Sequence, residues 1–277
     1  MKFQGFKLNQ IQDREKTNPG VMQHTIPKIV HQTFPTKNLP PKIADNIQSL
    51  KALNPDWEFK LYDDNDIEAF ILKNYPEMLS YYHRIDSSYG PARADFFRYL
   101  LIYKEGGVYL DIKSSLTKRL NNIVTPETQY ILAHWSNNYG RHPWITNVNG
   151  EYQQWHVIAV AGHPFLKAVI ENVCRNIEVY NPLFHERGFS GVLRTTGPIA
   201  YTLAIIPLLD AYPHQIDYDE NFGLVYSIFQ GNSTHEEIFK TRYRKLNNSV
   251  IAQPWYIALL FRLLGGLIDK FKKWLYQ

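Results

Sequence analysis

A chain of 277 residues, 44% hydrophobic and 20% charged, can bury one substantial core and fits one or two domains. Its formal net charge of +4 is concentrated in residues 255–277, where Arg262, Lys270, Lys272 and Lys273 face only Asp269; the near-neutral remainder argues against a nucleic-acid groove. The single cysteine, Cys174, excludes an intrachain disulfide and points to a reducing compartment.

In chain order, residues 1–25 lack the apolar run of a secretory signal and read as an arm. No segment is expected to supply the ~20 apolar residues of a spanning helix. Ile26–Phe34 predicts a strand ended by Pro35. Pro41–Leu53 predicts a helix with Ile43, Ile47 and Leu50 on one stripe, closed by Asn54-Pro55. Trp57–Tyr62 alternates as a strand, Asp64 is placed to N-cap a helix to about Asn74, and Pro76 to start a short one. Further on, Tyr130–His134 and Trp155–Val160 read as strands, Pro164–Tyr180 and Pro198–Leu208 as helices. Repeated strand–helix units imply a mostly parallel sheet covered by helices, with ligands at the carboxyl ends of the strands.

The most informative stretch is Pro91–Ser115, PARADFFRYLLIYKEGGVYLDIKSS. Its first half predicts a helix with Asp95 and Arg98 three residues apart on one face. Gly106-Gly107 stops that helix through the left-handed conformation glycine tolerates. Val108–Ile112 follows as a strand, with Tyr109, Asp111 and Lys113 pointing one way. Two polar pairs thus meet across a tight turn, an arrangement suited to a charged, hydroxyl-rich ligand.

The run R-A-D-x-x-R-Y-x-x-L-x-x-x-G-G-x-Y-x-D resembles the core signature of nucleotide-sugar-dependent glycosyltransferases with a DXD motif. The family is that of yeast initiating mannosyltransferases and bacterial capsule enzymes, related also to clostridial glucosylating toxins. Ile26–Thr33, Asn54–Glu58 with Asp63–Asp66, Gly162–Leu166 and Thr195–Pro198 resemble other family blocks in the same order. The resemblance implies a GT-A, Rossmann-like α/β fold with a mixed, mostly parallel sheet over residues 26–254. It also implies hexose transfer from a UDP- or GDP-sugar to a glycan or lipid-linked acceptor, with retention, in surface polysaccharide or glycoconjugate synthesis. One position departs from the pattern: the second carboxylate of the motif is Lys113.

On that resemblance Asp111 contacts ribose or metal, and Asp95 and Arg98 bind donor hydroxyls and phosphate. The ordinary alternatives are a strand-end carboxylate that caps a turn and an i,i+3 surface ion pair worth only ~0.2–0.5 kcal/mol. Related enzymes hold Mn²⁺ or Mg²⁺ against the departing diphosphate, since a cation neutralises the charge that develops there. Lys113 leaves that cofactor open: its ammonium either replaces part of the metal's charge at the phosphate, or pairs elsewhere while Asp111 holds the ion with a distant group. Tyr109 stands on the Asp111 face for the nucleotide or the core. His31, Gln32 and Thr33 end the first strand, where such folds hold the base. Thr196 and Gly197 open a helix whose N–H groups face acceptor or phosphate, or simply cap it.

No zinc-helix histidine spacing and no GxGxxG, GxxxxGK[ST] or GxSxG pattern occurs, which weakens dehydrogenase, P-loop and hydrolase readings. Residues 255–277 predict a basic amphipathic helix that lies on anionic lipid or docks on the protein's own core. The lipid reading gives a cytoplasmic enzyme peripheral on the inner membrane face. The alternative function is a nucleotide-sugar or glycan-binding protein without turnover.

Overall fold

The computed structural model describes residues 25–137, 139–182, 185–229 and 245–256. Strand β1 (Ile29–Thr33) leads to helix α1 (Pro41–Leu53), which buries Ile43, Ile47 and Leu50 as their i, i+4, i+7 spacing predicts. Strand β2 (Glu58–Tyr62) is followed by helix α2 (Asp64–Asn74). The cap of α2 is Asp63, one residue before the expected Asp64. Asp63 Oδ1 accepts from the Asp66 N–H at 3.0 Å while Asp66 Oδ2 accepts from the Asp63 N–H at 3.1 Å, a reciprocal box that satisfies two free donors at once.

After α3 (Leu79–Arg84) comes α4 (Gly90–Glu105), in which every residue from Asp95 to Ile102 is buried. Such a helix runs through the interior, so any charge it carries has to be paired there. Gly106 ends it at φ +68°, ψ −166°, not the left-handed helical cap expected from the sequence but a region essentially reserved for glycine. At Gly107, φ +98°, a Cβ would stand 2.7 Å from the Ile29 carbonyl oxygen. The missing side chain lets β3 (Gly107–Leu110) lie directly beside β1. β3 stops at Leu110, so Asp111 and Ile112 fall in the turn beyond it rather than inside the predicted strand.

The chain continues through β4 (Ser115–Leu116), β5 (Tyr130–His134), β6 (His156–Ala159), α5 (Pro164–Glu178), α6 (Gly188–Thr195), α7 (Pro198–Ile205), β7 (Gln215–Tyr218), α8 (Asp219–Phe222) and β8 (Leu224–Val225). The main sheet has the order β2-β1-β3-β6-β5-β7, and β4 pairs with β8 separately. β6 is antiparallel to both neighbours, and the other five strands run parallel to one another. The sheet is therefore mixed and mostly parallel, as expected. One face packs on α2, α4, α5 and α7 through Ile71, Phe97, Tyr109, Leu132, Val169 and Tyr201. The other packs Val108, Leu110, Ile131 and Ile158 on Leu50, Trp57 and Leu120.

The expectation of no long apolar segment needs correcting. Gly188–Ala211 has the length and mean hydropathy, 1.4, of a membrane span, although half of it is buried inside the protein. It is also broken between α6 and α7 at Thr196-Gly197, and Val192, Ile199, Tyr201 and Ile205 from it are buried in the protein. The predicted arm 1–25 lies outside the described residues except Thr25, and the predicted helix 255–277 except Trp255 and Tyr256, both exposed.

Candidate active site

The five parallel strands end at one edge of the sheet, at Thr33, Tyr62, Leu110, His134 and Tyr218. Because β6 runs the other way, it begins at that edge, with Leu110 opposite His156. Residues just before β6 therefore join the strand ends where ligands of α/β sheets bind.

There α4, the turn after β3 and the lead into β6 meet. Arg98 Nη2 pairs with Asp95 Oδ1 at 3.1 Å and with Asp111 Oδ1 at 3.0 Å. Arg98 Nη1 donates to Gln154 twice, to its carbonyl oxygen at 2.6 Å and to Oε1 at 2.8 Å. The guanidinium lies over the Tyr109 ring, 4.6 Å from its centroid. Gln154 Nε2 donates to Asp95 Oδ1 at 3.1 Å, and the Thr196 hydroxyl donates to Asp95 Oδ2 at 3.0 Å. Arg98 is 3% exposed and Asp95 4%, so this is a buried network and not the surface ion pair considered above. Burial pushes the Asp95 carboxyl up to about 6, against the pull of Arg98 and with the push of Asp111. Burial works against the charge of Arg98 too, but Asp111, Tyr109 and Asp95 outweigh it and hold the guanidinium protonated.

Asp111 is the open member, its side chain 24% exposed at the edge. Lys113, half-buried, donates from Nζ to the Tyr226 hydroxyl at 2.8 Å and lies against that ring. Tyr109 is 1% exposed, and its hydroxyl bonds Thr33 Oγ1 at 2.8 Å, linking the ends of β1 and β3. His31 is buried between the Tyr62 hydroxyl, 3.1 Å from Nδ1, and the Gly106 carbonyl, 3.2 Å from Nε2. Burial first, then Lys60, pulls its pKa down to about 4, so it is neutral at physiological pH. The Gln32 amide nitrogen is buried without a partner among the described residues. Thr196 and Gly197 are buried; Gly197, not a threonine, stands at the N-cap of α7.

A divalent cation needs several oxygen ligands. The described residues contain no group of three or more Asp, Glu, His or Cys that could hold one. Asp111 and Asp95 each turn an oxygen to the Arg98 guanidinium, and the position two residues after Asp111 presents an ammonium. This donor set does not suit a metal held by protein side chains.

Sequence reasoning missed Gln154, which ties Asp95 to Arg98, and Tyr226, which receives Lys113. Gln154 precedes an apolar strand, yet its arrival beside α4 depends on β6 being antiparallel, which no local pattern reveals. His156, at the same edge, is buried with neither ring nitrogen partnered among the described residues, and burial takes its pKa down to about 3.

Residues 40–130 match the family model described as glycosyltransferase sugar-binding region containing DXD motif. The chain is 29% identical over 222 residues to inositol phosphoceramide mannosyltransferase 3 of Schizosaccharomyces pombe, covering 76% of this chain and 56% of that protein. It is 25% identical over 264 residues to inositol phosphoceramide mannosyltransferase 2 of the same yeast, covering 88% of this chain and 69% of that one. The chain thus spans little more than half the length of the first of these relatives. Among solved structures, the UDP-bound glycosyltransferase domain from the YGT toxin superposes with a TM-score of 0.50 at 9% identity, over 78% of this chain and 89% of that one. By motif over residues 40–130 and by fold over most of its length, the chain is similar to DXD glycosyltransferases of the GT-A fold.

Proposed function

We propose that residues 26–254 form a glycosyltransferase that moves a hexose, with retention, from a UDP- or GDP-sugar to a hydroxyl of a glycolipid or glycan in glycoconjugate or surface polysaccharide synthesis. The acceptor oxygen bonds to the anomeric carbon, the bond from that carbon to the diphosphate breaks, and the hydroxyl proton leaves with the nucleoside diphosphate. The observation that carries this reading is the buried Asp95–Arg98–Asp111 network at the carboxyl edge of the sheet, inside the matched region. A single buried guanidinium holding two carboxylates is costly to maintain unless the geometry it fixes is used.

Asp95 and Arg98 form the floor that binds the donor sugar and hold Asp111 toward ribose. Tyr109 and Thr33 brace that floor, and His31 and Gln32 shape the end of β1 for the base. Thr196 and Gly197 support the phosphate or acceptor side through Asp95. Lys113 supplies at the diphosphate the positive charge that a cation gives when the motif carries two carboxylates. The mannosyl transfer named for the relatives makes mannose the first sugar to try.

A thermal-shift screen of UDP-, GDP- and CMP-sugars, each with and without Mn²⁺, tests the reading. A donor at a hundred times its Kd stabilises by about 2.7 kcal/mol, a shift of several degrees. No shift with any nucleotide-sugar in folded protein would remove the proposal. One observation supports a second reading, a donor-binding protein without turnover: Lys113 in place of the second carboxylate. Donor binding with no transfer or donor hydrolysis across a broad acceptor panel would select it.

The basic amphipathic sequence 255–277 supports a location on the cytoplasmic face of a membrane, which would suit a lipid-linked acceptor. The full chain should float with anionic vesicles and release as salt rises, each Lys or Arg near the surface contributing ~1 kcal/mol. Indifference to such vesicles would return that segment to the core.

A further inference from the structure

Among the described residues, six buried side-chain nitrogen and oxygen atoms have no hydrogen-bond partner, and four of them fall in residues 153–156: Gln153 Oε1, Trp155 Nε1 and both ring nitrogens of His156. Buried polar groups are almost always bonded, so a cluster of exceptions marks a place where a partner has yet to arrive. This cluster sits where β6 begins, at the edge of the sheet that carries Asp111.

His156 is its centre. The residue is 1% exposed, and a neutral imidazole offers one donor and one acceptor, neither of them used among the described residues. Its neighbours tie it to the Asp95–Arg98–Asp111 network. In the ladder it stands opposite Leu110, and the residue before it accepts the Asp111 N–H through the Trp155 carbonyl at 2.8 Å. Arg98 Nη1 reaches the Gln154 carbonyl, two residues back, at 2.6 Å. The Trp155 and His156 ring centres lie 4.6 Å apart. Burial lowers the pKa of His156 to about 3, with Asp219 opposing and Arg98 assisting, so the ring is neutral and feels both charges.

The unmet atoms select the chemistry of the partner. An indole N–H can only donate, an amide oxygen can only accept, and the imidazole does one of each. A cation would meet the indole donor and the Arg98 guanidinium. An anion would meet the Gln153 oxygen and Asp219, which accepts from Gln153 Nε2 at 2.8 Å. An uncharged hydroxyl, which both gives and takes a hydrogen bond, suits all of them. Water and a sugar both present one, and the place of His156 beside the floor assigned to the donor sugar favours the sugar.

We infer that His156 hydrogen-bonds a hydroxyl of the transferred sugar and so helps to decide which sugar is accepted. The inference rests on the glycosyl-transfer reading and adds a sugar-contacting residue outside the matched region 40–130. Asp95 and Arg98 are covered to the same degree, 4% and 3% exposed, so the side-chain movement that admits a sugar to them admits it to His156. Until the sugar arrives, the unbonded imidazole costs the fold stability, as binding groups often do.

Thermal unfolding, calorimetry and transfer assays on the full chain test this, with GDP-mannose and UDP-glucose set against GDP and UDP. His156→Leu is close in volume and removes both nitrogens. With no hydrogen bond to lose in the free protein, it should raise the melting temperature by about 2–4 °C. It should weaken binding of the nucleotide-sugar that wild type takes by about tenfold, and leave the matching nucleoside diphosphate within about twofold. Transfer kcat/KM should fall by about tenfold or more. His156→Gln, whose amide donates and accepts, should recover part of the lost affinity. His156→Phe keeps a planar ring in the slot and repeats the comparison. Lower melting temperatures for both apolar variants, or failure of both to fold, would show that the nitrogens are bonded to ordered water in the free protein and would overturn the inference. Stable apolar variants that bind the nucleotide-sugar as wild type does would overturn it too, and either result leaves the transferase reading standing. Failure of every nucleotide-sugar to bind the wild type would remove that reading and this inference together.

Discussion

Arg98→Ala removes the one cation shared by Asp95 and Asp111. In the wild type the guanidinium makes ion pairs of 3.1 and 3.0 Å, two hydrogen bonds to Gln154 and a ring contact with Tyr109, at 3% exposure. Removing one partner of a buried pair costs about 3–5 kcal/mol, because the remaining charge has neither water nor counter-ion. Against a typical total of about 5–15 kcal/mol, the variant should still fold. The loss should also depend on pH. The Asp95 carboxyl is raised by burial to about 6 in the folded wild type, above its unfolded value, with Arg98 pulling it down. The folded state thus binds the proton more tightly, and stability falls as pH rises through the window between the unfolded value and about 6. Without Arg98 the folded value climbs further, and the same decline continues to higher pH. Urea denaturation at pH 5 and pH 8 should therefore show a gap between variant and wild type that widens at pH 8. A loss under about 1 kcal/mol, or a gap equal at both pH values, would show that Arg98 does not hold this network together. Arg98→Lys should recover only part of the loss, since an ammonium cannot span both carboxylates and Gln154.

Asp111→Ala should leave the melting temperature near wild type, because the side chain is partly exposed in a turn and Arg98 keeps Asp95. It should lower transfer by about 10²–10³-fold, as loss of one preorganised electrostatic group does; near-normal turnover would dismiss the residue. If the Lys113 ammonium serves the diphosphate, wild-type transfer should survive EDTA and Lys113→Asp should become metal-dependent. Complete loss in EDTA, restored by Mn²⁺, would defeat that substitution. Gly107→Ala should cost about 1–3 kcal/mol, because φ +98° is strained for alanine and its Cβ would meet the Ile29 carbonyl oxygen at 2.7 Å. An unchanged urea midpoint would contradict the close approach of β3 to β1.

Much of this protein is legible in its amino-acid order, because the relevant forces act over a few residues. The stripe Ile43, Ile47, Leu50 fixes α1, and Gly106-Gly107 fixes the break between α4 and β3. Asp95, Arg98 and Asp111 stand out because a helix, a glycine turn and a short strand bring them together with no distant help. The sequence also overreached locally. Asp63 took the cap expected of Asp64 because the reciprocal partner, Asp66, sits three residues after Asp63. Asp111 left the predicted strand because β3 stops at Leu110.

The tertiary structure alone decided whether Asp95 and Arg98 are a surface pair or a buried network. That depends on what covers α4, and its covering comes from Gln154 and Thr196, 56 and 101 residues away from their partners. It alone decided that β6 runs antiparallel, which delivers Gln154 and Trp155 to the same edge as Asp111. The pairing of β7 with β5 at the far end of the sheet was invisible to patterning, because the residues of β7 are mostly exposed. Local sequence sets which groups can ionise, bond or turn the chain. Burial and strand direction, which are sums over distant contacts, set which of them face one another.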